Sequence, residues 1–193
     1  SDVIEQVIVK LEELPTLVEL AELDSERSDT ELVFALGDNP DQQSRVVMSY
    51  RPDEDGAMAI LGTGGSGKST VLRALALAAA TACVSAQLGE ADPALGPCHV
   101  YGLDFASRGL AVLEGLPHVG SIISSDDGER IARLLTWLRD LIDERAVAYS
   151  SVAAGSIGAY RAITRRRDEP RILLLVDNFP AFRQAYEVGR QAR

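Results

Sequence analysis

Eight consecutive residues, Gly62-Thr63-Gly64-Gly65-Ser66-Gly67-Lys68-Ser69, set glycines, a lysine and a hydroxyl in the order G-x-x-x-x-G-K-S. That order suits phosphate chemistry. Glycines let successive backbone N–H groups converge on an anion with no Cβ in the way. A helix starting at the end of such a loop adds the positive end of its dipole. Lys68 can reach the β- and γ-phosphates of a nucleotide, Ser69 offers its hydroxyl to Mg²⁺, and Thr70 falls beside the α-phosphate. The expected nucleotide-binding residues are therefore Gly62, Gly64, Gly65, Ser66, Gly67, Lys68, Ser69 and Thr70.

The Mg²⁺ also needs a carboxylate at the end of a buried strand. Asp177 follows the apolar run Ile172-Leu173-Leu174-Leu175-Val176, so Ser69 and Asp177 are the expected metal ligands. The next residue is Asn178, at the position where efficient ATPases carry a glutamate that activates water. An amide cannot accept the proton, so Asn178 is not a general base. Asp104, at the end of another apolar segment, is either a substitute carboxylate or the cap of a loop. Weak or absent hydrolysis is the expectation.

These residues need a frame. Val3, Ile4, Val7, Ile8, Leu11 and Leu14 recur at helical spacing, which predicts a helix over 2–14 with Asp2 and Glu5 as its capping pair. Residues 16–30 read as a polar connection. Strands are expected at 32–36 and 45–50, a turn at 52–56, and a strand at 57–61 leading into the glycine loop. A helix over about 68–87 follows, then strands at 99–103 and 120–123. A helix over 126–149 buries Ile131, Leu134, Leu135, Leu138, Leu141 and Ile142, with Asp126 and Glu129 capping it. Residues 155–160 are loosely specified, 165–170 form a charged turn, and 171–176 form a strand. Apolar strands without alternation, separated by helices, indicate a parallel sheet covered on both faces. The division expected is an N-terminal helix and linker over 1–30 and a P-loop ATPase domain over 31–193.

Composition narrows the classes. The 193 residues are 46% apolar and 25% charged, which suits a globular domain and excludes wholesale disorder. Acids number 29 against 19 bases, a net charge of −10, so nucleic acid is disfavoured as a partner. Cys83 and Cys98 fit no metal spacing and read as reduced thiols of a cytosolic protein. No apolar run approaches the roughly 18 residues of a membrane span. The acidic start has no signal-peptide character, and the lack of an initiator Met reads as a piece of a longer chain.

The ordered set of motifs resembles a known family. The phosphate loop, Tyr101-Gly102-Leu103-Asp104-Phe105, Leu116-Pro117-His118-Val119-Gly120, Asp143-Glu144-Arg145 and Leu175-Val176-Asp177 follow one another as in FtsK/SpoIIIE-type ATPases. Together with Asp38-Asn39-Pro40-Asp41-Gln42-Gln43, they resemble the tandem ATPase modules of EccC, the motor of type VII (ESX) secretion. The resemblance covers about residues 30–180. It implies an α/β fold of the RecA-like P-loop (ASCE) class, with a mostly parallel sheet covered by helices on both faces. It also implies ATP and Mg²⁺ as cofactors. The implied setting is the cytoplasmic side of a membrane-anchored, homo-hexameric parent protein. The implied partners are sister ATPase modules of the same chain and the tail of a secreted substrate. Later modules of that motor often lack the catalytic glutamate, so Asn178 implies a regulatory module. The alternatives are a DNA translocase of the same superfamily and a nucleotide-stabilised interaction domain that binds a secreted protein's tail. Sixteen residues follow Asp177, too few for the family's remaining strands, so the C-terminal part is expected to be missing. Arg108, Arg145 and Arg165–Arg167 are the arginine-finger candidates, while His118 and Trp137 read as packing residues.

Overall fold

The computed structural model describes residues 15–23, 28–39, 44–87 and 92–191. The helix expected over 2–14 and residues 40–43 lie outside them. Leu32–Asn39 (β1) and Ser44–Tyr50 (β2) pair antiparallel, with Leu32 opposite Tyr50. Both strands run longer than their apolar cores suggest, because an antiparallel partner supplies ladder bonds to polar residues as readily as to apolar ones. The expected 52–56 turn is a single helical turn, Pro52–Asp55 (α1), started by proline and ended by Gly56 at φ +66°.

Lys68–Gln87 (α2) forms where expected. Its buried alanines, Ala74, Ala76, Ala78 and Ala79, favour the helix and let it lie close to the strands beneath. Cys98–Asp104 (β3) and Val119–Ser124 (β4) follow, and Gly128–Ser151 (α3) comes next. Asp127, not Asp126, caps α3: its Oδ1 accepts from the Arg130 backbone N–H at 3.1 Å. The expected apolar stripe of α3 ends early, since Ile142 is 66% exposed.

Two helices escape the sequence reading. Ile157–Thr164 (α4) is capped by Ser156, whose Oγ accepts from Ala159 N–H at 3.2 Å. After Arg171–Asp177 (β5) comes Phe179–Gln191 (α5). The parallel sheet is ordered β4-β3-β5, and Asp104 and Asp177 are register partners at its carboxyl end.

Two apolar clusters sandwich this sheet. On one face Leu75, Ala76 and Ala79 of α2 meet Val100, Ile122, Leu173 and Leu175, and the β1–β2 hairpin joins through Leu32 and Tyr50. On the other, Ile131 and Leu134 of α3 and Phe182 and Tyr186 of α5 meet Leu103, Ile123 and Val176. Helices thus cover both faces, as expected for this α/β class.

One expected strand is not there. Residues 57–61 carry no ladder, and Met58 and Leu61 are 38% and 92% exposed. Apolar composition favours a strand only where a neighbour completes the hydrogen bonds. Among the described residues β5 pairs with β3 alone.

Candidate functional site

The glycine loop and the carboxyl ends of β3 and β5 converge. Three glycines are needed, two for backbone conformation and one for space. Gly65 and Gly67 hold φ of +75° and +89°, backbone that side chains disfavour. A Cβ on Gly62 would sit 2.4 Å from Ser66 Oγ. Gly64 faces open space. The loop closes through Ser66 N–H to the Thr63 carbonyl at 3.3 Å, and Val71 N–H donates to the Gly67 carbonyl at 3.0 Å as α2 begins.

Lys68 Nζ donates to the carbonyls of Gly62 and Thr63 at 3.0 and 2.5 Å. These carbonyls are exposed, so the ammonium can leave them without breaking a buried bond. Ser69 Oγ donates to Asp177 Oδ2 at 2.6 Å, a link across 108 residues. Asp177 is 4% exposed. Thr70 Oγ1 accepts from Arg73 Nη2 at 3.0 Å.

Both oxygens of Asp104 are engaged: Oδ1 accepts from Ala106 N–H at 3.1 Å and Oδ2 from Leu110 N–H at 2.9 Å. The loop over 105–110 is thereby folded back so that Gly109 lies over the Ser69–Asp177 pair. A Cβ on Gly109 would stand 3.1 Å from Asp177 Oδ2 and 3.3 Å from Ser69 Oγ. Nothing in the sequence spacing marks Gly109. Only the fold shows that a side chain there would crowd the pair.

Asn178 has φ +60°, the left-handed region that asparagine tolerates best after glycine. Its Nδ2 donates to the Phe105 carbonyl at 3.1 Å, and its own carbonyl receives the first N–H groups of α5. It is a turn residue that joins β5 to α5.

The arginines divide. Arg145 is held by Glu169 and the Pro170 carbonyl, each at 2.6 Å from Nη2. Arg165 ends α4 at φ +63°, and Arg166 pairs with Glu169 at 3.5 Å. Arg108 is exposed on the loop beside Gly109, also at positive φ. His118 is buried with Nε2 2.8 Å from the Ala76 carbonyl, a packing role as expected. Trp137 meets Tyr101 with centroids 5.0 Å apart and planes tilted at 52°, and is 40% exposed, so it lies at the edge of the packing and not in the core.

A lysine amine, a hydroxyl and a carboxylate grouped at an open glycine loop are the donor set of a nucleotide phosphate with Mg²⁺. On a parallel sheet covered on both faces, they define a P-loop ATPase domain. The chain belongs to the FtsK/SpoIIIE family, whose model matches residues 16–176. Among curated relatives, the ESX secretion system protein EccC of Geobacillus thermodenitrificans is 29% identical over 151 residues. That match takes in 78% of this chain and 10% of the relative, so the chain spans about a tenth of that protein. Among solved structures, ATPases 2 and 3 of EssC from the same organism superpose with a TM-score of 0.69 at 28% identity, covering 89% of this chain and 31% of that one. ATPases 2 and 3 of Thermomonospora curvata EccC, in complex with a signal sequence peptide, give a TM-score of 0.66 at 29% identity over 83% of this chain and 28% of that one.

Proposed function

We propose that this chain is an ATP·Mg²⁺-holding module of a type VII secretion motor, with slow hydrolysis and a regulatory role. The observation that carries the reading is the Ser69–Asp177 hydrogen bond at the foot of the glycine loop, which sets the two Mg²⁺-directed groups side by side. Lys68 then faces the β- and γ-phosphates. Slow turnover is supported by the absence of a proton acceptor at Asn178 and by the engagement of both Asp104 oxygens with backbone amides. The Asp104 geometry favours the loop-capping role over that of substitute base.

In this reading residues 1–30 are an N-terminal helix and linker and 31–193 the ATPase domain. The module sits on the cytoplasmic side of a membrane-anchored parent, beside sister modules and within a hexamer. The tail of a secreted protein is its macromolecular ligand, a reading supported by the signal-peptide complex of the Thermomonospora curvata relative. Titration calorimetry tests the core of the proposal. The unmodified chain takes up ATP·Mg²⁺, and Lys68→Ala abolishes uptake because the charge facing the phosphates is lost. Equal affinity in both proteins refutes the reading.

A further inference from the structure

The phosphate loop stands on a stem, residues 57–61, that makes no ladder bonds among the described residues. Two side chains at the foot of the stem do the holding. Buried Tyr50 donates its hydroxyl to the Gly56 carbonyl. Arg171 grips the Asp53 carboxylate with both terminal nitrogens, Nη1 to Oδ1 at 2.7 Å and Nη2 to Oδ2 at 2.9 Å. Arg171 is itself fixed, because its Nε donates to fully buried Asp29 at 3.0 Å. Asp29 Oδ2 also accepts from Arg161 Nη1 at 2.7 Å.

Arg171 is the first residue of β5 and Asp177 the last. One strand therefore anchors the stem at its start and meets Ser69 at its end. Six residue steps separate Arg171 from Asp177, and six separate Gly56 from Gly62. At about 3.3 Å per extended residue, β5 covers about 20 Å and the stem reaches no further than about 20 Å. So short a stem passes a displacement at its foot on toward the loop. A bidentate guanidinium–carboxylate pair fixes both distance and orientation.

We infer that Asp53 and Arg171 are positioning residues of the phosphate loop: their ion pair sets the height of Lys68 and Ser69 against Asp177. The inference rests on the nucleotide-binding reading above. The test measures ATP·Mg²⁺ affinity of the full chain by calorimetry, and amide exchange across 57–61, in Asp53→Ala, Asp53→Glu and Glu169→Ala. Glu169→Ala removes the Arg145 and Arg166 ion pairs near the same end of β5 without touching the stem, so it reports plain destabilisation. Asp53→Ala is expected to lower affinity about tenfold, in line with the cost of misplacing a binding group, and to speed exchange across 57–61. Asp53→Glu regains most of the affinity, and Glu169→Ala lowers the melting temperature with affinity unchanged. If the alanine variant does not fold, Asp53→Asn carries the same comparison. Unchanged affinity in the folded Asp53 variant overturns the inference and leaves nucleotide binding intact. An unmodified chain that takes up no ATP overturns the binding reading, and the positioning role with it.

Discussion

The two ends of β5 carry similar chemistry and use it in opposite ways. At its start, Arg171 and Arg161 surround Asp29 in the interior, and every guanidinium nitrogen of the pair is bound. Arg161 donates to Glu169, Ala94 and Pro97 carbonyls as well as to Asp29, and Arg171 divides its donors between Asp29 and Asp53. At its end, Asp177 holds one hydroxyl, while the nearby lysine rests on exposed loop carbonyls. A largely buried cluster in which every guanidinium nitrogen already has a partner fixes geometry. The lysine at the other end, whose carbonyl partners are exposed, can exchange them for a ligand at little cost. Aspartate is common to both ends, and the difference between binding and bracing lies in its partners: two guanidiniums on Asp29, one hydroxyl on Asp177.

Four changes sharpen or break that contrast. The largest effect belongs to the braced end. Asp29→Asn takes the shared carboxylate from two buried arginines and is expected to cost roughly 3–5 kcal/mol. Thermal melting would show it, and a loss near zero would mean that the cluster is not structural. Second, Gly109→Ala pushes a methyl group against Asp177 Oδ2 and Ser69 Oγ. It should weaken Mg²⁺-dependent ATP binding by about tenfold while changing stability by no more than about 1 kcal/mol. A larger loss of stability than of affinity would move Gly109 from the binding end to the core.

Third, Asn178→Glu places a residue poorly suited to φ +60° in the β5–α5 turn and removes the bond to Phe105. The expected loss is about 1 kcal/mol, with Asn178→Gly losing less. Equal stability of the Glu and Gly variants in chemical denaturation would remove the backbone account of this residue. The smallest effect is that of pH. The Arg171 guanidinium beside Asp53 holds its carboxyl below the ordinary value of 3.8. A group whose folded pKa is depressed stabilises above its unfolded value, and that stability is lost as pH falls through the folded one. The melting temperature should therefore decline on acidification below pH 3.8, and less steeply in Asp53→Asn.

The binding end was legible in the sequence because its residues are contiguous or close a strand: the glycine loop, Ser69 before a helix, Asp177 after five apolar residues. The bracing end was not. Asp29, Asp53, Arg161 and Arg171 are ordinary charged residues in four separate segments, and only the fold brings them together. The composition of 57–61 suits a strand, but pairing needs a neighbour that composition does not supply. Helix α5 is not legible because its inward aromatic residues, Phe182 and Tyr186, give a weak helical signal until Phe105 and Val176 offer a surface to cover. The sequence marks Asp104 as chemically capable. Its role in folding the 105–110 loop became visible only with its two amide partners.

On the proposed reading, the carboxyl end of β5 takes the nucleotide while the amino end holds the frame. Amide exchange of the full chain with and without ATP·Mg²⁺ tests this directly. ATP·Mg²⁺ is expected to slow exchange at residues 62–70 and 105–110, and to leave Gly96, Arg161 and Arg171 already slow and unchanged. Protection absent from 62–70, or appearing first at the amino end of β5, would contradict it.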